Sequence, residues 1–104
     1  MSSVTEAWKA WQEGLANKDS SKLGEFFTDD FQFVSKAGTK NRPETLDWTA
    51  AGGNPTVLDN LDVLYENDEV AVIYHSANRP NVVMALYTKR GDKFSHCRTV
   101  RQEN

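Results

Sequence analysis

His75 and His96 are the only side chains in this sequence whose ordinary pKa suits proton transfer near neutral pH, so either is a candidate general base. Arg98 follows His96 by two residues, which places both on one side of any strand that carries them. A base beside a cation suits an enolate or a carboxylate, and His96 with Arg98 is therefore the candidate catalytic pair. Cys97 is the single cysteine; it excludes an intrachain disulfide, and with no base secured beside it the thiol reads as packing rather than as a nucleophile. Asp29 and Asp30 invite a paired-carboxylate reading, but adjacent positions do not converge on one substrate atom, so they are expected in a turn or a cap. No Cys/His spacing of the zinc type is present, and nothing in the residue pattern calls for a metal or a cofactor.

The elements that must position these residues belong to one domain, since 104 residues close a single core and leave no length for a second. Hydrophobic residues at 38% and aromatics at 11% supply that core despite a mean hydropathy of -0.64, which argues for a globular chain. The formal charge is -3 and the twelve Lys and Arg are dispersed, so the positive stripe that phosphate backbones require is missing and no nucleic-acid partner is expected. The N-terminus has neither a basic start nor an apolar run, and no stretch approaches the ~18 apolar residues of a membrane span. A cytoplasmic protein with no membrane partner is the expectation.

Val4, Ala7, Trp8, Trp11 and Leu15 recur at helical spacing behind a Ser3/Glu6 capping box, which predicts a helix over 4–17. Asp19 or Ser20 then caps a shorter helix that carries Leu23, Phe26 and Phe27 on one side. From Phe31 the period falls to two, with Phe31, Phe33 and Ser35 on one face of a strand. Residues 36–39 read as a turn, and Pro43 opens a third helix that runs through Trp48 to the stop at Gly52-Gly53-Asn54-Pro55. Four runs rich in β-branched and aromatic residues follow, over 57–66, 69–77, 82–89 and 93–102, separated by turn residues. Helices first and strands later predict an α+β domain in which one sheet wraps around helices covering its inner face.

This order, with the local patterns Trp11-Gln12-Glu13-Gly14-Leu15-Ala16-Asn17-Lys18-Asp19, Phe26-Phe27-Thr28-Asp29-Asp30-Phe31 and Gly91-Asp92-Lys93-Phe94, resembles the nuclear-transport-factor-2-like superfamily, which includes SnoaL-like cyclases and ketosteroid isomerases. The resemblance implies a cone-shaped, curved antiparallel sheet around N-terminal helices, the cystatin-like α+β barrel, with a ligand pocket in its mouth. It also places the isomerases' oxyanion tyrosine at Trp11, their general-base aspartate at Ser35 and their second acid near Val83. All three chemical groups are absent here, which argues against isomerase chemistry of that type.

By the register that the resemblance implies, Tyr74, Cys97, Thr99 and Arg101 point into the cone, whereas Ile73, His75, His96 and Arg98 lie outside; one bulge in the last hairpin would reverse the last strand and bring His96 and Arg98 inward. The expected ligand-contacting set is Trp11, Phe27, Phe31, Phe33, Ser35, Trp48, Tyr74, Cys97 and Thr99. Trp8 is a further aromatic candidate for that wall. The expected outer face of Ile73, His75, Ala77, Met84 and Leu86 is too apolar to stay wet, which predicts a homodimer through it. Three functions remain open at this point: a binding domain for a small apolar molecule, a SnoaL-like enzyme abstracting a proton next to a carbonyl, or a dimeric association domain filled by its own side chains.

Overall fold

In the computed structural model, which describes residues 3–103, the eight expected elements follow in the expected order, with one further strand between the first strand and the third helix. Helix α1 (Val4–Asn17) starts at a complete capping box: the Glu6 amide donates to Ser3 Oγ at 3.2 Å and the Ser3 amide to Glu6 Oε1 at 3.3 Å. It stops where Lys18 turns into the left-handed region and sends its amide to the Gly14 carbonyl. Helix α2 (Ser21–Gly24) is only a turn long, with Asp19 accepting from the Ser21 amide and hydroxyl. Helix α3 (Arg42–Ala50) repeats the capping box with Asn41 and Glu44 and carries Pro43 in its first turn, where a missing N–H is harmless.

Strand β1 (Phe27–Ser35) begins four residues before the predicted start, so Phe27 leaves α2 and Asp29 and Asp30 lie in the strand rather than in a turn. A register shift between Phe27 and Gln32 absorbs the extra residues: Phe27 pairs with Phe94 and Gln32 with His96. Strand β2 (Gly38–Asn41) occupies part of the predicted turn and pairs antiparallel with β1. The remaining strands, β3 (Leu58–Glu66), β4 (Val70–Ala77), β5 (Val82–Arg90) and β6 (Lys93–Gln102), form the predicted antiparallel meander. Spatial order is β2-β1-β6-β5-β4-β3, with β1 joining β6 in parallel, and this six-stranded sheet curves around the helices without closing. Among the described residues no helix is long and apolar enough to cross a membrane.

The core fills the space between α1, α2 and the inner sheet face, where Val4, Leu23, Phe27, Phe31, Ile73 and Phe94 are almost fully buried. Opposite residues of antiparallel strands share a face, so the register sorts the meander directly. One row reads His75, Val83, Arg101 and the next Ile73, Ala85, Thr99, on the inner face; Tyr74, Met84 and Val100 form the alternate, outer row. The expected orientation of β4 is thereby reversed. Ile73 is 0% and His75 6% exposed, whereas Tyr74 is 40% exposed beside Met84 at 46% and Leu86 at 42%. Small residues fit this choice: Ala71, Ala77 and Ala85 face inward in the same buried cluster as Trp8 and Trp11 of α1, and Ala77 and Ala85 border the space those two rings share.

Candidate functional site

A cavity of about 570 Å³ opens between α1, α3 and the inner sheet face, and all three tryptophans of the chain, Trp8, Trp11 and Trp48, line it. Each is held differently. Trp11 donates from Nε1 to Thr49 Oγ1 at 2.9 Å, and the Thr49 hydroxyl donates in turn to the Thr45 carbonyl at 3.0 Å. The indole donor of Trp11 is thus spent inside the wall and cannot serve an oxyanion. Trp48 lies over Gly53, whose φ of +70° and lack of a side chain admit the ring: a Cβ there would sit 3.0 Å from it and 2.7 Å from Leu15. Trp8 stands edge-on to His75 with ring centroids 5.6 Å apart, and its buried Nε1 has no hydrogen-bond partner among the described residues.

His75 is the imidazole that the inner face brings to this space, where Tyr87 and Arg101 of the same face also reach the lining. Its Nδ1 lies 3.0 Å from the Ser76 carbonyl, which only accepts, so Nδ1 carries the hydrogen and Nε2 keeps its lone pair. No described residue bonds Nε2. Burial lowers the imidazole pKa against the opposing pull of the Ser76 carbonyl, and the ring is therefore neutral at pH 7. Across the sheet, Val83 separates His75 from Arg101 in one row, which puts the two about 10 Å apart.

Of the expected ligand-contacting residues, the cavity brings together Trp11, Phe33, Ser35, Trp48 and Thr99. Phe27 and Phe31 instead stack on each other at 3.8 Å in the core beneath it, 1% and 0% exposed, and do not line it. Tyr74 points to the outer face through its register with Met84. Cys97 is fully buried behind Tyr87; desolvation pushes its thiol up to about 12 against a smaller, lowering hydrogen bond from Tyr87, so it carries no thiolate at neutral pH. The candidate pair His96 and Arg98 does not meet in the cavity. His96 pairs with Thr88 and Gln32 and is absent from the lining, and Arg98 borders the mouth although its register partners, Leu86 and Val34, belong to the outer row. The three positions that the resemblance aligned with acid and base groups, Trp11, Ser35 and Val83, do converge on the cavity, without those groups.

Sequence reasoning misplaced the side chains of β4 together, Ile73 and His75 being inside and Tyr74 outside. The missed signal was the period-two run of Ala71, Ile73, His75 and Ala77, whose two alanines mark the face that receives bulky helix side chains. A second cleft, about 360 Å³ between α1 and the start of β3, offers only Glu13 and Asp59 as ionisable groups. Among the described residues no group of three or more His, Cys, Asp or Glu side chains could hold a metal.

Solved structures decide the fold. An NTF2-like protein from Anabaena variabilis superposes with a TM-score of 0.77 at 17% identity, covering 96% of this chain and 87% of that one. This chain has the nuclear-transport-factor-2-like fold. A SnoaL-like protein from Burkholderia thailandensis gives a TM-score of 0.75 at 9% identity over 95% and 94% of the two chains. A protein with a ketosteroid isomerase-like fold from Catenulispora acidiphila, solved in complex with trimethylamine, gives 0.67 at 16% identity over 94% and 86%. No family model and no curated protein matches the sequence. At such identities the nuclear-transport-factor-2-like fold is what the chains share, and the chemistry must be argued from this chain's own residues.

Proposed function

We propose that this nuclear-transport-factor-2-like domain binds a small, largely apolar molecule in the cavity between α1, α3 and the inner sheet face. The supporting observation is the cavity itself: about 570 Å³, within the range of ligand sites, walled by aromatic rings. A purely structural domain would fill that space with its own side chains, at native packing density. The trimethylamine of the Catenulispora protein is a poor guide to the occupant, because among the described residues no Asp or Glu lines the cavity here to receive a cation. Since all three tryptophans line the site, their emission reports its occupancy. Titration with neutral naphthamide is expected to give saturable quenching and a matching calorimetric isotherm. Ala85→Leu, which narrows the cavity, is expected to weaken binding at least tenfold. Absence of any saturable signal up to the solubility limit, from naphthamide and equally from its carboxylate and ammonium counterparts, sinks the reading.

A second reading, proton abstraction next to a carbonyl, is favoured by one feature: the neutral His75 with its unshared Nε2 lone pair. It replaces His96 as the base. Incubating the protein with acetonaphthone in heavy water tests it, since a working base exchanges the methyl protons next to the ketone; exchange equal to that of His75→Gln removes the proposal.

Self-association remains a proposal with a changed set of contacts. Ile73 and His75 are buried under the helices, and the surface that a second copy would cover is Tyr74, Met84, Leu86 and Val100. Sedimentation at micromolar concentration is expected to give a dimer that Met84→Glu dissociates; a monomeric parent protein refutes it. We also propose a cytoplasmic location, on the strength of the single, buried, free Cys97.

A further inference from the structure

Formal charge over the whole chain is -3, from fifteen Asp and Glu against twelve Lys and Arg. The cavity inverts that balance. Lys36, Lys40, Arg98 and Arg101 border it, and not one Asp or Glu does. Segregation of this kind gives an otherwise acidic protein a locally positive opening, and field lines from cations concentrate in a concave, low-dielectric site.

The four cations are not equivalent. Lys36 is paired with Glu103 at 3.5 Å, both side chains well exposed, so its charge is partly answered. Arg98 belongs by register to the outer row and reaches only the border. Lys40 and Arg101 form no ion pair with any described carboxylate. Arg101 is on the inner face, one strand from Val83, with a single 3.4 Å bond from Nη2 to the Ala77 carbonyl, which leaves most of its five donors unspent. Lys40 stands on β2 opposite Phe33, itself a wall of the cavity. An ammonium and a guanidinium thus border one cavity, which Trp11, Phe33 and Trp48 also line.

We infer that the occupant is an amphipathic anion, a flat apolar body carrying one carboxylate, with the body against Trp11, Phe33 and Trp48 and the carboxylate at the mouth between Lys40 and Arg101. The inference rests on the binding reading above and specifies its ligand class. Arg101 can take the carboxylate through two parallel N–H donors, and Lys40 adds a point charge. A cationic analogue meets two uncompensated positive charges at the same place and is rejected.

The test compares three probes of one shape by calorimetry: naphthoate, naphthamide and naphthylmethylammonium. Naphthoate is expected to bind about tenfold more tightly than naphthamide, with the ammonium weakest, and the preference is expected to shrink as salt rises. In the Lys40→Met/Arg101→Met variant, with its fold checked by circular dichroism, the naphthoate-to-naphthamide ratio is expected to fall to about one. Naphthamide binding as tightly as naphthoate in the parent protein overturns the anion inference and leaves the binding reading standing. A preference that survives in the double variant overturns the assignment to Lys40 and Arg101. If none of the three probes binds, the binding reading itself fails.

Discussion

Glu66 and His75 occupy the same inner face at opposite ends of neighbouring strands, and they are treated in opposite ways. Glu66 accepts from Lys89 Nζ at 2.8 Å and from the Val4 amide at 2.7 Å, so one carboxylate ties β3 to β5 and receives the first free N–H of α1. Its negative charge also opposes the positive end of the helix dipole. His75 has one nitrogen occupied by a carbonyl and no described partner on the other, beside a cavity bordered by Lys40 and Arg101, which pair with no described carboxylate. Where each charge is answered, the sheet is sealed under α1; where they are not, the cone stays open. Complete satisfaction marks the structural end and incomplete satisfaction the end that borders the cavity.

The strongest way to break this comparison is to remove the cation at the sealed end. Lys89→Met strands Glu66 with only the Val4 amide, and because the Lys89 side chain is just 5% exposed the loss is expected to be about 3 kcal/mol in urea unfolding. Arg101→Met at the open end, where the side chain is exposed, is expected to change stability by less than about 0.5 kcal/mol. Equal losses at the two ends would show that the charges at the mouth are as structural as the pair beneath α1.

A medium-sized effect separates the two ends by pH. Burial raises the pKa of Glu66, but Lys89 and the Val4 amide outweigh it and leave the carboxyl below its ordinary 4.5. Desolvation likewise lowers His75 from its ordinary 6.5. Both groups bind protons more weakly when folded, so each contributes stability above its ordinary value and loses it as pH falls through its folded value. The windows differ: the His75 loss begins below about pH 6.5 and the Glu66 loss only below about pH 4.5. Urea midpoints followed from pH 7 downward are expected to lose the upper step in His75→Gln and the lower step in Glu66→Gln. A single step common to both variants would contradict the assignment.

The difference between the ends also explains what was legible in the sequence. Helix α1 was, because its capping box and apolar spacing are local; so was the meander, whose runs end at Gly, Asn, Asp and Pro. Strand β2 was not, since Gly38-Thr39-Lys40-Asn41 is short, polar and stabilised by pairing with β1. The orientation of β4 was hidden for a different reason. Val70, Val72 and Tyr74 on one side and Ala71, Ile73 and Ala77 on the other are both apolar, so alternation alone cannot choose a face. The choice is made by tryptophans some sixty residues away, and with it goes the placement of His75 in the candidate site. The candidate pair His96 and Arg98 stays off the inner face for a separate reason: β6 bulges at Ser95, between the Lys89–Phe94 and Thr88–His96 pairs, and beyond that bulge Cys97, Thr99 and Arg101 take the inner face.

The smallest expected effect is the sharpest control on what makes the sealed end structural. Arg90 follows Lys89 directly and pairs with Asp30, which accepts also from Thr28; the Arg90 hydrogen bond, with a lesser one from Thr28, holds the Asp30 carboxyl below the usual carboxylate range. Both side chains are well exposed, at 60% and 67%, and water and salt answer such charges almost as well as the partner does. Asp30→Asn is therefore expected to leave the urea midpoint unresolved from the parent at physiological salt, even though the pair lies one residue from Lys89. If Asp30→Asn instead costs as much as Lys89→Met, ion pairing across β5 and not burial of the Glu66–Lys89 bridge seals this end, and the contrast with His75 loses its physical basis.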